Sequence, residues 1–303
     1  MIERVCVVGA GVIGSLFAAH LARVAEVACL VRRDDHARAL RELGLRVSGR
    51  NDFTAQVDAG TDAAALGPAD LVLVCTKATG LEAAADAMAG HFADATVMTT
   101  QNGLGAEEVV RAHGDWPLVS AVTFMSGTKH SDTQVEYVLD TETWLGPYEA
   151  TPFETVDEIA RLLVDAGLKA EALPDLRPAQ WSKLIFNATV NGVAALTGLP
   201  HDFHFAEREH MGDLIHELMA EGKRVAAAAG VELHDDPWEM NVLATQRGSA
   251  HFPSMLEDVE AARPTEVELI NGSLVREAER AGVAVPLQAA VYALVKGREA
   301  ASS

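Results

Sequence analysis

Basic residues, cysteines and long hydrophobic runs are all scarce in this sequence of 303 residues. Lys and Arg number 24 against 44 Asp and Glu, which gives a formal net charge of −20. A surface this acidic repels nucleic-acid phosphates and anionic lipid headgroups, so we expect neither nucleic acid nor a membrane as a partner. A local anion site stays compatible with this charge, because clustered cations dominate within a Debye length of roughly 8 Å.

The few cysteines and the short apolar runs exclude further classes of protein. Cys6, Cys29 and Cys75 lie in apolar runs without paired spacing, which predicts reduced, packed thiols and favours the cytoplasm. The longest uncharged stretch, residues 184–200, contains two Asn and two Gly and falls short of the ~20 apolar residues that a bilayer span needs. Because the chain opens directly on a strand-like run, we expect no export signal.

Strand and helix patterns alternate in the first half of the sequence. β-branched and apolar runs predict strands at residues 4–8, 26–31, 71–76, 96–100 and 118–124. Helical spacing lies between them, at residues 15–23, 81–92 and 106–112. This alternation predicts an α/β fold with a Rossmann-like, doubly wound parallel sheet. Residues 134–139 and 142–145 predict a short antiparallel pair added to it.

The pattern changes at about Pro174, after which the sequence shows helical spacing throughout. Helices are predicted at residues 178–197, 212–229, 253–262, 265–281 and from 287 onward. Gly198, Gly230 and Gly282 fall where glycine ends helices. The sequence therefore predicts two domains, a nucleotide-binding domain at residues 1–174 and an all-α domain at residues 175–303.

A G-x-G-x-x-G motif joins the first predicted strand to the first helix. Gly9 permits the tight turn, Gly11 lets the backbone approach a pyrophosphate, and Gly14 allows close packing of helix on strand. The positive end of the helix dipole then faces the anion. The pattern predicts a dinucleotide cofactor held by Gly9, Ala10, Gly11, Val12, Ile13 and Gly14.

The end of the second strand indicates which dinucleotide binds. An NAD site usually carries an acid there, whereas this chain has Arg32. A guanidinium at this position can hold the 2′-phosphate of NADP through charge-assisted hydrogen bonds, so we favour NADP(H) over NAD. The alternative is a surface arginine balanced by the neighbouring Asp34 and Asp35.

Two more strand ends carry polar residues on the edge where ligands of open α/β sheets bind. Lys77 follows the strand at 71–76, and Asn102 follows the strand at 96–100. Lys77 suits a cofactor phosphate or ribose, and Asn102 suits the nicotinamide end. For Lys77, a solvated loop lysine is an equally good interpretation.

The most informative segment is Trp181-Ser182-Lys183-Leu184-Ile185-Phe186-Asn187-Ala188-Thr189-Val190-Asn191. On a helix, Lys183, Asn187 and Asn191 fall within ~80° of one another over about 12 Å. The other positions are largely apolar, so the stripe differs from the polar face of a solvated helix. A buried ammonium with two amides needs an anionic or hydrogen-bonding partner, and a substrate is one such partner. A structural salt bridge with an amide network is the alternative.

Two capping patterns lie further along the chain. Ser254 with Glu257 and Thr265 with Glu268 both fit S/T-x-x-E, which favours helix caps over catalytic groups. Glu266 would then be an acid in the first turn of a helix.

Three histidines lie close together in the sequence. His201, His204 and His210 have no companions at metal-ligand spacing, so we predict a surface segment and no metal site.

Six motifs, in order, resemble the ketopantoate reductases (2-dehydropantoate 2-reductases) over essentially the whole chain. They are GAGVIG, LVRR, the lysine of VCTKA, QNGLG, WSKLIFNATVN and SMLEDVEAARPTEVELING. The resemblance implies a Rossmann domain, a helical domain and NADPH-dependent reduction of 2-dehydropantoate to (R)-pantoate, a cytoplasmic step towards pantothenate and coenzyme A. The family has a further substrate-contacting asparagine after the second amide, where this chain has His201 or a neighbour.

The resemblance also implies roles for individual residues. It makes Lys183 the proton-donating catalytic lysine and Glu266 its acidic partner. It places Asn187, Asn191 and Ser254 around the substrate. It further implies that Lys77 and Asn102 lie near the nicotinamide end of the cofactor, and Arg32 at the 2′-phosphate.

Two alternative functions remain open at the level of sequence. One is a reductase of the same family that acts on a different branched 2-oxo acid. The other is an NADP-binding sensor without turnover, which leaves the stripe of Lys183, Asn187 and Asn191 unexplained. The acidic charge and the helical second half suit a monomer and a homodimer alike.

Overall fold

The computed structural model describes residues 2–200, 209–246 and 253–302. The chain divides into two compact units. One consists of Met1–Gln101 with Ala106–Leu176, and the other of Asn102–Gly105 with Arg177–Ser303. The short loop Asn102–Gly105 thus belongs to the helical unit, although it follows a strand of the first unit.

Every strand that the structure describes lies in the first unit. Its strands are β1 (Arg4–Val8), β2 (Glu26–Leu30), β3 (Leu45–Gly49), β4 (Phe53–Ala55), β5 (Asp58–Gly60), β6 (Leu71–Val74), β7 (Thr96–Thr99), β8 (Leu118–Thr123), β9 (Ser126–Ser131), β10 (Gln134–Leu139), β11 (Thr143–Pro147) and β12 (Ala170–Ala172). Eight form one sheet in the order β12-β11-β8-β7-β6-β1-β2-β5, and four form a second sheet in the order β4-β3-β10-β9. From β5 to β8 the neighbours in the large sheet run parallel. The predicted α/β class with a parallel sheet is confirmed.

The helices of the first unit connect these strands. They are α1 (Val12–Leu21), α2 (Asp34–Leu43), α3 (Ala63–Leu66), α4 (Leu81–Met88), α5 (Ala106–Arg111) and α6 (Phe153–Asp165). All four residues of β6 are apolar and buried, as expected for a central parallel strand covered on both faces. The register pairs Val8 with Leu30 on one side and with Val74 on the other. The carboxyl ends of β1, β2 and β6 therefore meet at one edge of the sheet.

The predicted antiparallel pair at residues 134–139 and 142–145 is wrong. Both segments are strands, but β10 pairs with β3 and β9 in the small sheet, whereas β11 runs antiparallel to β8 in the large one. The true hairpin partner of β10 is β9, whose sequence SGTKHS has no apolar alternation to mark it as a strand.

The second unit is helical around one central helix. Its helices are α7 (Arg177–Thr197), α8 (Glu209–Ala228), α9 (Pro237–Gln246), α10 (Ser254–Glu260), α11 (Asn271–Ala281) and α12 (Pro286–Ser302). α7 packs against each of the other five, which explains why its apolar residues are not confined to one face. Gly198, Gly230 and Gly282 have φ of 70°, 71° and 67°, which confirms the predicted helix ends.

The three cysteines are free, as predicted. Cys6 and Cys29 are buried and Cys75 is half-buried. Burial raises the pKa of Cys6 and of Cys75 to about 12, so both thiols are protonated and unreactive at neutral pH.

Across residues 2–200, 209–246 and 253–302, no helix is long and apolar enough to cross a bilayer.

Candidate active site

The glycine motif forms the turn between β1 and α1. Gly9 has φ of +94°, which favours glycine, and its amide donates to the Leu30 carbonyl at 2.9 Å. A Cβ on Gly14 would lie 1.9 Å from the Gly9 carbonyl oxygen, so only glycine fits there. A Cβ on Gly11 would meet nothing within 4 Å. The turn is closed towards the sheet and open above Gly11, which is the shape that a pyrophosphate cradle requires.

α1 begins earlier than the sequence predicts. Its first residue is Val12, whereas the sequence favoured a start near Ser15. The amide of Ser15 donates to the Gly11 carbonyl at 3.0 Å, so the helix starts directly at the middle glycine of the motif. The N-terminal amides of α1 thereby lie at the turn, as an anion site of this type requires.

Arg32 and its neighbour Arg33 differ in their partners. The Arg33 guanidinium donates to the Asp35 carboxylate at 3.0 Å and also forms an ion pair with Asp132. Arg32 is exposed and, among the described residues, forms no ion pair or hydrogen bond. Asp34, the other nearby acid, accepts from the Thr61 hydroxyl at 2.7 Å. Arg32 is therefore the arginine of this pair that is available to an added anion.

Lys77 lies at the same sheet edge, directly after β6. It is exposed and precedes a single turn of 3₁₀-helix, Ala78–Gly80. Gln101, which the sequence analysis did not single out, fixes this edge by donating to the carbonyls of Val74 and Thr76 at 3.0 and 2.8 Å.

In the second unit, the predicted polar stripe lies on α7. Asn187 and Asn191 are buried, with 7% and 6% of their surface exposed, and Lys183 is half-buried. These polar groups lie on the central helix of the unit, where burial of an amide without a partner is costly. Such groups need polar partners from the protein or from a ligand.

Asn102 and Glu266 supply part of that polar environment. The Asn102 amide donates to the Glu266 carboxylate at 3.1 Å, and Asn187 donates to the Asn102 oxygen at 3.4 Å. Asn102 reaches this position because its loop approaches the backbone closely: a Cβ on Gly103 would lie 1.7 Å from the Leu269 carbonyl oxygen. The structure thus brings together residues from three distant segments of the chain.

The electrostatics of Lys183 follow from this environment. Burial lowers the pKa of the Lys183 ammonium to about 8, and the negative charge of Glu266 opposes part of that shift. A lysine with a pKa near 8 is largely protonated at neutral pH and releases its proton far more readily than a solvated lysine. Perturbed titrating groups of this kind are typical of catalytic sites.

Glu266 does not lie in a helix, which corrects the interpretation of Thr265 and Glu268 as a capping box. α11 begins only at Asn271; Glu266 lies in a bend, and residues 267–270 form turns. Thr265 donates both its amide and its hydroxyl to the Glu299 carboxylate, each at 2.7 Å. Glu268 accepts instead from the Tyr292 hydroxyl. The α12 helix therefore holds the segment that carries Glu266.

The interpretation of Ser254 as a helix cap is also wrong. Ser254 is the first residue of α10, Pro253 occupies the capping position, and no side chain caps this end. α10 packs against α7. Ser254 thus belongs to a helix that neighbours the polar stripe, and its role at a substrate stays a prediction.

The histidine segment is only partly described. His201 and His204 lie outside the described residues, so the departure from the family pattern at His201 stays a prediction. His210 is exposed on α8. Within the described part of the chain, no group of three or more His, Cys, Asp or Glu residues is arranged to hold a metal ion.

Sequence reasoning also missed Asn271. This residue is fully buried, and its amide donates to the Ala188 carbonyl of α7 at 2.7 Å and to Gln288 at 3.2 Å. It braces the helix that carries Lys183. The sequence gives one indication of this role: Asn271 is a polar residue inside the helix predicted at residues 265–281.

Comparison with known families matches both halves of the chain. The family described as "Ketopantoate reductase PanE/ApbA" matches residues 5–150, and its C-terminal counterpart, "Ketopantoate reductase PanE/ApbA C terminal", matches residues 175–299. A 2-dehydropantoate 2-reductase from Halobacterium salinarum is 30% identical over 298 residues, which cover 97% of this chain and 98% of that protein.

Solved structures agree with this match. The crystal structure of a 2-dehydropantoate 2-reductase from Methylococcus capsulatus is 30% identical, with a TM-score of 0.85 and coverage of 99% of this chain and 98% of that one. A D-mandelate dehydrogenase solved with NADH and anilino(oxo)acetate has the same fold at 22% identity, with a TM-score of 0.88 and 99% of each chain covered.

Proposed function

Because this chain belongs to the ketopantoate reductase family, we propose that it reduces 2-dehydropantoate to (R)-pantoate with NADPH. The observation that carries the proposal is the partly buried Lys183, whose pKa responds to the charge of Glu266. Glu266 in turn is bonded to Asn102, and Asn102 to Asn187. A cationic acid in such a place suits a reaction that generates negative charge on an oxygen.

The glycine turn and Arg32 fit the cofactor. The residues that would hold it are Gly9–Gly14 at the pyrophosphate, Arg32 at the 2′-phosphate, and Lys77 and Asn102 towards the nicotinamide. When bound, NADPH supplies the hydride that reduces the C2 carbonyl. The unpaired guanidinium of Arg32 supports the choice of NADPH over NADH, because a phosphate dianion would complete its hydrogen bonds.

Lys183 is the proposed proton donor. As an ammonium it stabilises the developing alkoxide at C2 and then transfers a proton to that oxygen. Glu266 keeps the ammonium form populated through its charge, which opposes the effect of burial. After the transfer Lys183 is neutral, which its partly buried position favours, and it regains a proton before the next turnover.

The amides orient the substrate in this proposal. Asn187, Asn191 and Ser254 hydrogen-bond the carboxylate and the distal hydroxyl of 2-dehydropantoate, which aligns the carbonyl with the lysine. The bond from Asn102 to Glu266 fixes the carboxylate beside the lysine. We further propose the division of labour predicted from the sequence, with residues 1–174 binding the cofactor and residues 175–303 supplying the catalytic and substrate-binding groups. On this account the enzyme acts in pantothenate and coenzyme A biosynthesis in the cytoplasm.

A different 2-oxo acid is the competing substrate. The D-mandelate dehydrogenase with the same fold binds NADH and anilino(oxo)acetate, so the fold alone does not choose the oxo acid or the cofactor. A sensor without turnover would give no reason for the polar stripe of Lys183, Asn187 and Asn191 on the central helix of the second unit.

The test is a substrate panel. The purified protein is mixed with NADPH or NADH and with 2-dehydropantoate, 2-oxoisovalerate, pyruvate or benzoylformate, and cofactor oxidation is followed by absorbance. We expect the highest kcat/KM with 2-dehydropantoate and NADPH. A higher value with another oxo acid would reassign the substrate, and intact NADPH binding without any turnover would support the sensor.

A further inference from the structure

Lys129 lies on β9, beside the glycine turn of the same unit. Its ammonium donates to the Ala10 carbonyl, the residue between the first two glycines of the motif. The side chain is half-buried, and burial lowers the pKa of the ammonium. None of the six sequence motifs named above includes Lys129.

Lys129 is positioned at the Ala10 carbonyl by β9 of the small sheet. β9 packs against α1, and it can do so because Gly127 has no side chain: a Cβ there would lie 3.2 Å from Val12 and 2.4 Å from the Glu136 carbonyl oxygen. The close approach lets the strand pass along the first turn of α1. Lys129, two residues further on, then reaches Ala10 from the side of the small sheet.

Other groups around Lys129 come from β2, from the start of α2 and from the turn between β9 and β10. The charges of Asp132 and Arg33, and the thiol of Cys29 in β2, act on the pKa of Lys129, and Lys129 in turn acts on that of His36. Arg33 belongs to the segment that follows β2, where Rossmann folds recognise a 2′-hydroxyl or a 2′-phosphate. Lys129 therefore contacts the glycine turn and lies near the segment after β2 that carries Arg32 and Arg33.

The local acids are engaged elsewhere. Asp132 pairs with Arg33 and its carbonyl contacts His36, while Asp35 pairs with Arg33 and accepts from the His36 amide. Among the described residues, Lys129 forms no ion pair, and the Ala10 carbonyl is its one hydrogen-bond partner. An ammonium with three donors that makes a single bond in a partly buried place has capacity for an anion.

We propose that Lys129 is a specificity-determining residue that binds the 2′-phosphate of NADPH together with Arg32. The two cations reach the phosphate from different elements, Arg32 from the end of β2 and Lys129 from the hairpin of the small sheet. This inference rests on the proposed use of NADPH.

The test measures binding rather than turnover. Adenosine 2′,5′-bisphosphate and adenosine 5′-monophosphate differ only in the 2′-phosphate, so the ratio of their Kd values by titration calorimetry isolates this group. Lys129→Gln removes the charge and keeps a donor for the Ala10 carbonyl. We expect it to weaken the bisphosphate about 10- to 100-fold, the size of a charge-assisted contact, and the monophosphate less than about 2-fold.

Two more variants control the experiment. Lys129→Arg retains the charge and should restore most of the preference for the bisphosphate. Lys169→Gln, at a lysine on the surface of the same unit that pairs with Asp140 at 3.0 Å, should change neither Kd. Thermal unfolding of each variant checks that it is folded. If Lys129→Gln does not fold, Lys129→Met carries the test, because it also removes the charge and should weaken the bisphosphate by the same factor relative to the monophosphate.

The outcomes separate this inference from the proposed function. A wild-type protein that binds both nucleotides equally would contradict the use of NADPH itself. A wild-type preference that Lys129→Gln leaves unchanged would overturn the role of Lys129 alone. Equal weakening of both nucleotides would also overturn it, because Lys129 would then only shape the glycine turn.

Discussion

Six consecutive residues, Gly9–Gly14, form the turn of the first unit, whereas the lysine site of the second unit combines residues from three distant segments. The shape of the turn depends on backbone conformation and on glycines that have no side chain. The motif can therefore be recognised in the sequence. At the lysine site, Asn102 and Glu266 are 164 residues apart and meet only through tertiary structure. The first region depends on local geometry, and the second on the packing of helices and loops that are far apart in the sequence.

Because the glycine turn and the lysine site are built from different residues, we expect that catalysis and cofactor binding can be disrupted separately. Substitution of Lys183 should have the largest effect. Lys183→Ala should lower kcat by ~10²- to 10⁴-fold, because the alkoxide loses its proton donor, while the Kd of NADPH stays nearly unchanged. Stopped-flow reduction and nucleotide titration measure the two quantities. The control is Lys223→Ala, at a lysine of α8 that pairs with Asp236. A normal kcat in Lys183→Ala would remove this residue from catalysis.

A backbone change next to Asn102 should also damage the lysine site. In Gly103→Ala the new Cβ would meet the Leu269 carbonyl, which must move and take Asn102 away from Glu266. We expect kcat to fall by about 10²-fold, the cost of misplacing a catalytic group by roughly 1 Å.

Gly198→Ala is the matched control for this variant. Gly198 also has positive φ, but a Cβ there meets nothing within 4 Å, so the backbone strain is present without the clash. Its kcat should remain close to that of the wild type. Equal losses of kcat in both variants would show that strain, and not the position of Asn102, matters.

The first unit should respond in cofactor affinity alone, and less strongly. Arg32→Ala should weaken NADPH by about 10- to 100-fold and leave NADH almost unaffected, as expected for a charge-assisted contact. Arg33→Ala removes an arginine that Asp35 and Asp132 already engage, so its effect on NADPH should stay below about 5-fold, in the range of exposed ion pairs. Equal losses for both cofactors in Arg32→Ala would mean that this residue is structural.

Much of the fold and part of the site could be predicted from the sequence, because they depend on local patterns. The alternation of strands and helices, the glycine turn and the stripe on α7 all follow from periodicities of a few residues. The pairing of β10 was wrong because its partners lie in a separate sheet, and neighbouring segments in the sequence are not always neighbours in space.

The surroundings of the stripe could not be predicted for the same reason. The hydrogen bond from Asn102 to Glu266 depends on how the loop at Gly103 meets Leu269, and the turn that carries Glu266 depends on Glu299 of α12. The two capping patterns are wrong because S/T-x-x-E describes only local spacing. Pro253 and not Ser254 occupies the capping position of α10, and Thr265 donates to Glu299 of α12.

The central claim is that Lys183 donates the proton. The most direct test is the pH dependence of kcat/KM, measured for reduction of 2-dehydropantoate and for the reverse oxidation of pantoate. The ammonium form exists below the pKa of about 8, so reduction should be constant at lower pH and fall about tenfold per pH unit above it. Pantoate oxidation needs the neutral amine and should rise through the same pKa. Glu266→Gln removes the charge that raises this pKa, so reduction should begin to fall at lower pH. A flat profile for reduction between pH 7 and 10, or a shift to higher pH in Glu266→Gln, would contradict the account.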